Sequence, residues 1–169
     1  MLLRFDRLSK INFSQLMAVY AEGAAENGRE FYPDLPAHQQ IFRAEQDFYA
    51  YLQTGFFTEP QDVYCIWEEN GVYISALRLQ QYQDGLLLEA LETHPSFRQR
   101  GYAKLLMQTV LEELKPAKVY SHIGHKNFAS QAVHIACGFS KILDRARYAD
   151  GSVNSYCGTY LYESKNAGI

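Results

Sequence analysis

Ala103, Leu106, Met107, Val110, Leu111 and Leu114 recur at i, i+3, i+4 and i+7, which predicts a helix with one buried face. Just upstream, Leu86-Leu87-Leu88-Glu89-Ala90-Leu91 is an apolar run of strand length, so a strand, a turn and a helix follow one another here. Leu16, Met17, Val19 and Tyr20 predict an earlier helix over 14–26, ended by Asn27-Gly28. Pro33-Asp34-Leu35-Pro36 then breaks the chain before a second helix over 38–52, with Ile41, Phe42, Phe48, Tyr49 and Leu52 along one side. From Val63 the period shortens to that of strands: 63–67, 72–79 across the turn Glu69-Asn70-Gly71, and 86–93 after Gln83-Asp84-Gly85. A weakly alternating stretch at 2–6 opens the chain, Pro116 marks the passage into a strand at 118–123, and an antiparallel pair closes it, 141–148 and 156–162 around Asp150-Gly151. With no repeat, low-complexity tract or linker, the pattern predicts one mixed α/β domain over 1–169.

Composition narrows the classes. At 47% hydrophobic and 21% charged, the chain reads as a soluble globular protein. No run approaches the roughly 20 apolar residues of a spanning helix, and the residues after Met1 form no secretory apolar core, so the expected location is the cytoplasm. Cys65, Cys137 and Cys157 are odd in number and far apart, which fits reduced thiols better than disulfides or a zinc cluster. A net charge of −3 argues against nucleic acid or an anionic membrane as partner. Basic residues clustered in one turn therefore serve a local anion.

That turn is Pro95-Ser96-Phe97-Arg98-Gln99-Arg100-Gly101-Tyr102-Ala103-Lys104. Two arginines and a lysine flank a Gly and an Ala at a helix N-terminus, where backbone N–H groups can approach a ligand closely and the helix dipole favours negative charge. A pyrophosphate suits such a site. The order Arg-x-x-Gly-x-Ala resembles motif A of the GNAT superfamily of N-acetyltransferases, which cradles the pyrophosphate of acetyl-coenzyme A. Asn127-Phe128-Ala129-Ser130-Gln131-Ala132-Val133-His134-Ile135-Ala136-Cys137-Gly138-Phe139 is similar to its motif B, an Asn opening a helix that closes on Gly-Phe. Motif order and separation are family-like, and the resemblance covers nearly all of the chain.

The resemblance implies a mostly antiparallel central sheet of about six to seven strands, flanked by about four helices and splayed between the fourth and fifth strands. It implies that the backbone of Leu91, Glu92 and Thr93 holds the pantetheine arm, and that Arg98, Gln99, Arg100, Gly101, Tyr102, Ala103 and Lys104 face the phosphates, with Asn127 and Ser130 across the cleft. The activity implied is direct transfer of an acetyl group to a primary amine, with acetyl-coenzyme A as co-substrate, no metal, and dimers frequent in the family.

Such a transfer requires a neutral amine, and an alkylammonium is only about 0.1% free base at neutral pH. Three residues are candidates for the base. Glu92 ends the apolar strand. Glu89 lies three residues earlier, on the opposite face by strict alternation, and His122 matches a fifth-strand position where some family members carry a glutamate. For protonation of the departing thiolate, His134 stands where the family has a tyrosine, two helical turns after Asn127. His122, His125 and His134 lack Cys or carboxylate neighbours at metal-ligand spacing.

The loop between the first two helices and the last hairpin form the acceptor wall in the family, which makes Phe31, Tyr32 and Tyr148 the expected acceptor contacts. A small-molecule amine is the first expectation. A protein N-terminus or lysine, or a non-catalytic module binding acetyl-coenzyme A, are the alternatives.

Overall fold

The computed structural model describes residues 1–148 and 150–164; residue 149 and residues 165–169, which the single-domain expectation also spans, lie outside the described residues. Among the described residues, nine strands and five α-helices follow in the order β1 (Leu2–Phe5), α1 (Phe13–Val19), α2 (Ala21–Phe31), α3 (Ala37–Tyr51), β2 (Val63–Glu69), β3 (Val72–Tyr82), β4 (Gly85–Thr93), α4 (Tyr102–Leu114), β5 (Lys118–Gly124), α5 (Phe128–Ala136), β6 (Ser140–Leu143), β7 (Ala146–Arg147), β8 (Val153–Asn154) and β9 (Cys157–Glu163). Seven strands form one sheet in the order β1-β2-β3-β4-β5-β9-β6, and β7 and β8 pair separately. Every neighbour in the large sheet is antiparallel except β4 and β5, which run parallel. Among the described residues no helix is long and apolar enough to cross a membrane.

Strand alternation gives the sheet two buried faces. Leu77, Leu79, Leu88, Val119 and Ile123 pack against Leu106, Met107, Val110 and Leu111, the apolar stripe of α4. On the opposite face, Tyr64, Ile66 and Ala76 pack against Leu16, Met17 and Val19 of α1 and against Leu52 and Phe56, which follow α3. A fully buried side chain of this size contributes about 1.5–3 kcal/mol, so these stripes decide which face each helix takes.

The predicted helix over 14–26 is two helices. The chain turns at Tyr20 (φ −93°, ψ 15°), whose backbone caps both. Nor does Asn27-Gly28 end α2, which continues to Phe31. Gly28 is there for contact: a Cβ on it would lie 2.7 Å from the backbone of Gln40 in α3. The expected closing strand over 141–148 is likewise divided into β6 and β7.

Two features of β4 shape the site. Its pairing with β5 extends only from Leu86↔Val119 to Leu88↔Ser121, so beyond Leu88 the two strands part and the facing edge of β4 has no ladder partner. Ala90 adopts φ +53°, and the register against β3 shifts there: Arg78 faces Glu89, but Ala76 faces Glu92. This bulge places an extra residue in β4, so Glu89 and Glu92 lie on the same face of the sheet rather than on opposite faces.

Candidate active site

The parted strands open onto a cleft of about 600 Å³. Leu91, Glu92 and Thr93 of β4 form one wall, the turn into α4 forms the floor, and Asn127, Ala129, Ser130 and Val133 close it from α5. Gln99 (φ +60°) and Gly101 (φ +83°) are both left-handed, which turns successive N–H groups of the turn toward one side. Gly101 caps α4 without a side-chain hydrogen bond, so the first amides of the helix remain for a ligand. A Cβ on Gly101 would meet nothing within 4 Å and would point into open space. On these grounds the turn fits a pyrophosphate.

Of the residues expected to hold the coenzyme, all line the cleft except Arg100, whose guanidinium lies over the ring of Phe97 at 5.4 Å. Arg98 lines it but is already engaged: Nε donates to the Thr93 carbonyl at 3.2 Å, and the terminal nitrogens meet Glu22 and, at 3.6 Å, Glu92. Lys104, also on the wall, makes no ion pair among the described residues. Across α5, the Asn127 side chain accepts from the Ser130 N–H at 3.1 Å and caps the helix.

Glu92 is half-buried, and burial pushes its carboxyl above the ordinary glutamate range; Arg98 works against the shift and Glu22 and Glu26 reinforce it. Glu89 is tied on the same sheet face by Arg78 Nε at 3.2 Å and Gln80 Nε2 at 3.0 Å. His122 lies just past the last β4–β5 pair, edge-on to Tyr82 (5.5 Å) and Tyr148 (5.3 Å), with both ring nitrogens buried and unpartnered. Burial lowers its pKa, against the opposing charge of Glu89.

His134 does not line the cleft. It is 1% exposed, edge-on to Phe139 at 5.0 Å, and its Nδ1 donates to the Ser130 carbonyl at 2.8 Å. A carbonyl can only accept, so Nδ1 carries the proton of the neutral ring and Nε2, buried without a partner, carries none. Burial also lowers its pKa. The helical spacing from Asn127 is as expected, but the ring is buried against Phe139, which is itself part of the core. His134→Ala is therefore expected to cost about 2–4 kcal/mol of stability, read by urea unfolding. Because the unfolded chain binds a proton at His134 that the folded one refuses, stability should rise with pH through the window below about 6.5. His134→Gln should flatten that rise, and an unchanged profile would contradict the assignment.

The expected acceptor contacts do not line either cavity near the bulge. Because α2 runs on to Phe31, that residue stands 65% exposed at its far end. Tyr32 follows, and its hydroxyl donates to Asp47 of α3. Tyr148 packs on His122 instead. A second cavity of about 380 Å³ lies between α1, α2, α3 and the bulge, walled by Met17, Tyr20, Phe48, Tyr51 and Arg78 and reaching Ala90. Gly23 lines both cavities, and nothing lies within 4 Å of where its Cβ would be. Sequence reasoning had no signal for this cavity beyond a glycine inside an otherwise helical pattern, which costs a helix about 1 kcal/mol relative to alanine.

Tyr20 ties the cavity to the bulge: its hydroxyl donates to the Ala90 carbonyl at 2.7 Å and accepts from the Tyr64 hydroxyl at 2.8 Å. Burial raises both phenols, Tyr20 well above 10. Both stay neutral donors, as this relay requires. The three thiols are also raised by burial, Cys65 to about 12, and none lines the cleft. Among the described residues, no three His, Cys, Asp or Glu side chains converge as a metal site would need.

A family model described as the acetyltransferase (GNAT) family matches residues 25–139. No curated protein matches the chain. Solved structures with the same fold include the PaiA N-acetyltransferase of Thermoplasma acidophilum in complex with coenzyme A, 10% identical with a TM-score of 0.64 over 97% of this chain and 99% of that chain. Another is the ribosomal-protein-S18-alanine N-acetyltransferase of Escherichia coli, 15% identical with a TM-score of 0.59 over 100% of each. A GNAT-family acetyltransferase of Streptococcus agalactiae is 15% identical, with a TM-score of 0.64 over 97% of this chain and 96% of that chain.

Proposed function

From the premise that the chain belongs to the acetyltransferase (GNAT) family, we propose that it is an N-acetyltransferase that moves an acetyl group from acetyl-coenzyme A to a primary amine in a ternary complex. The observation that carries this reading is the meeting of two cavities at one strand bulge. One suits an anionic, extended ligand, the other is lined by aromatic rings, and Gly23 lines both.

In this reading the amides from Gln99 to Lys104 bind the phosphates, with Lys104 adding charge. The edge of β4 from Leu91 to Thr93 that β5 leaves unpaired takes the pantetheine arm as a strand would take a neighbour. When bound, acetyl-coenzyme A would supply the thioester: its carbonyl carbon bonds to the amine nitrogen as the carbon–sulfur bond breaks, and the second proton shed by that nitrogen goes to the departing sulfur, so that coenzyme A leaves as its thiol. Glu92 accepts the ammonium proton. Burial raises its pKa toward that of the proton it must take. Glu89, held by Arg78 and Gln80, orients the acceptor side. Tyr20 fixes the Ala90 carbonyl and with it the turn of the strand beside the reacting carbonyl.

The seat of His134 in the packing between helices supports a thiolate that leaves without an acid from that position. The acceptor is best read as a small molecule, since its cavity is enclosed by three helices. The use of acetyl-coenzyme A and three free thiols support a cytoplasmic setting.

The reading is tested by incubating the protein with acetyl-coenzyme A and a panel of amines, amino acids and peptides, following free thiol and the acetylated product by mass. Product from at least one amine is expected. Thiol release with no acetylated product from any acceptor would contradict it.

A further inference from the structure

We infer that the acceptor is an amine carrying a carboxylate on a small apolar body, an amino-acid-like zwitterion, and that Arg78 is the residue that reads the carboxylate. The inference rests on the proposed acetyl transfer and specifies its acceptor.

Among the described residues, Arg78 is the one charged residue on the wall of the second cavity. Its side chain is only 15% exposed, and its guanidinium is stacked over Tyr51 at 4.9 Å and near Phe56 at 5.6 Å. Glu89 accepts from its Nε at 3.2 Å, but that oxygen also accepts from Gln80, and the Tyr64 phenol is the other polar group beside it. A guanidinium presents five N–H donors in a rigid fork matched to a carboxylate. With Nε engaged by Glu89, the two terminal nitrogens of a guanidinium that lines the cavity are the donors a ligand carboxylate there would use.

On the other side of Gly23, carboxylates stand beside the cations Arg98 and Lys104 of the first cleft. Glu22, Glu26 and Glu92 line the first cleft, with Arg98 engaged between Glu22 and Glu92. A zwitterion laid across Gly23 thus finds carboxylates at its ammonium end, where the proton must be removed, and a guanidinium at its carboxylate end. The distance is short. Arg78 pairs with Glu89 across the strands, and Glu89 precedes Ala90, the bulge residue that closes the cavity. Ala76, two residues along β3 from Arg78, pairs with Glu92, so Arg78 and Glu92 share a face about 7 Å apart along the strand, within reach of an amine and a carboxylate on one small molecule, while Phe48 and Tyr51 offer rings to the rest of it. A polycation would place its second ammonium against Arg78.

The test measures binding rather than turnover. Protein saturated with coenzyme A is titrated in a calorimeter with matched pairs that differ only in the carboxylate: phenylalanine against phenethylamine, leucine against isoamylamine. Saturation with coenzyme A is itself the check on the proposed cleft, so a failure there is seen separately. The carboxylate member is expected to bind at least about tenfold more tightly, the scale of one charge-assisted pair. Arg78→Gln should erase that difference and Arg78→Lys should keep part of it. Should Arg78→Gln fail to fold, Glu89→Gln provides the second reading: removing the competing carboxylate should tighten phenylalanine binding and leave phenethylamine unimproved. Equal or weaker binding of the carboxylate members, binding of neither member of a pair, tighter binding of spermidine than of phenylalanine, or a preference that survives in Arg78→Gln would each overturn the inference.

Discussion

The Gly101→Asp protein is expected to fold and to bind coenzyme A at least about 100-fold more weakly than wild type. The residue caps α4 at φ +83°, at the centre of the amides that line the cleft. A side chain there points into open space, so nothing in the fold clashes with it. The left-handed backbone costs a non-glycine residue about 1–2 kcal/mol, less for Asp than for most. The ligand suffers more. A carboxylate in the cradle repels the phosphates and competes for the same amides, and loss of two charge-assisted hydrogen bonds at about 1.5–3 kcal/mol each accounts for at least the stated factor. Gly101→Ala carries the backbone strain without the charge and should fall between the two. Calorimetric titration of variants shown to be folded by circular dichroism decides this. Wild-type affinity in Gly101→Asp would mean that the phosphates bind elsewhere.

Glu92→Gln is expected to lower kcat/KM at neutral pH by at least about tenfold, the lower part of the range for general base catalysis. The substitution keeps the shape and removes the base. Because burial holds the Glu92 carboxyl above the ordinary range, the acid limb of the wild-type profile should lie above that range too, with activity rising as the pH rises through it. In Glu92→Gln that limb should vanish, and activity should climb toward wild type only as the pH approaches about 10, where the amine deprotonates unaided. Glu89→Gln separates the two carboxylates that the bulge places on one face. It should lower KM for a carboxylate-bearing acceptor by freeing Arg78 and leave the acid limb in place. A limb that disappears in Glu89→Gln or His122→Gln but survives in Glu92→Gln would move the role of base to that residue.

The cleft proposed for the coenzyme was legible in the sequence because the turn that floors it is made locally. Gly101, Ala103 and the helix stripe that begins after them lie within one turn and one helix, and their residue types follow from backbone access and helical period. The acceptor side was not legible. Its cavity depends on how α2 and α3 approach at Gly28, a residue that reads in sequence as a helix stop because the Gln40 backbone beneath it is invisible there. Helix α2 was therefore ended too early, and Phe31 and Tyr32 were expected in a loop over the site. The bulge was equally hidden. Alanine at φ +53° leaves no signature, and alternation counted through it put Glu89 on the wrong face. His134 shows a third limit: spacing gave its helical position, while the tautomer was set by the Ser130 carbonyl one turn earlier.

The central claim, that coenzyme A lies in the gap between β4 and β5 with its phosphates on the turn before α4, is tested most directly by a crystal structure of the protein soaked with coenzyme A. The account predicts phosphate oxygens within hydrogen-bond distance of amides between Gln99 and Lys104, and the pantetheine arm along Leu91 to Thr93. Coenzyme A bound away from that turn, or crystals that take up none at concentrations that saturate a related acetyltransferase, would contradict it.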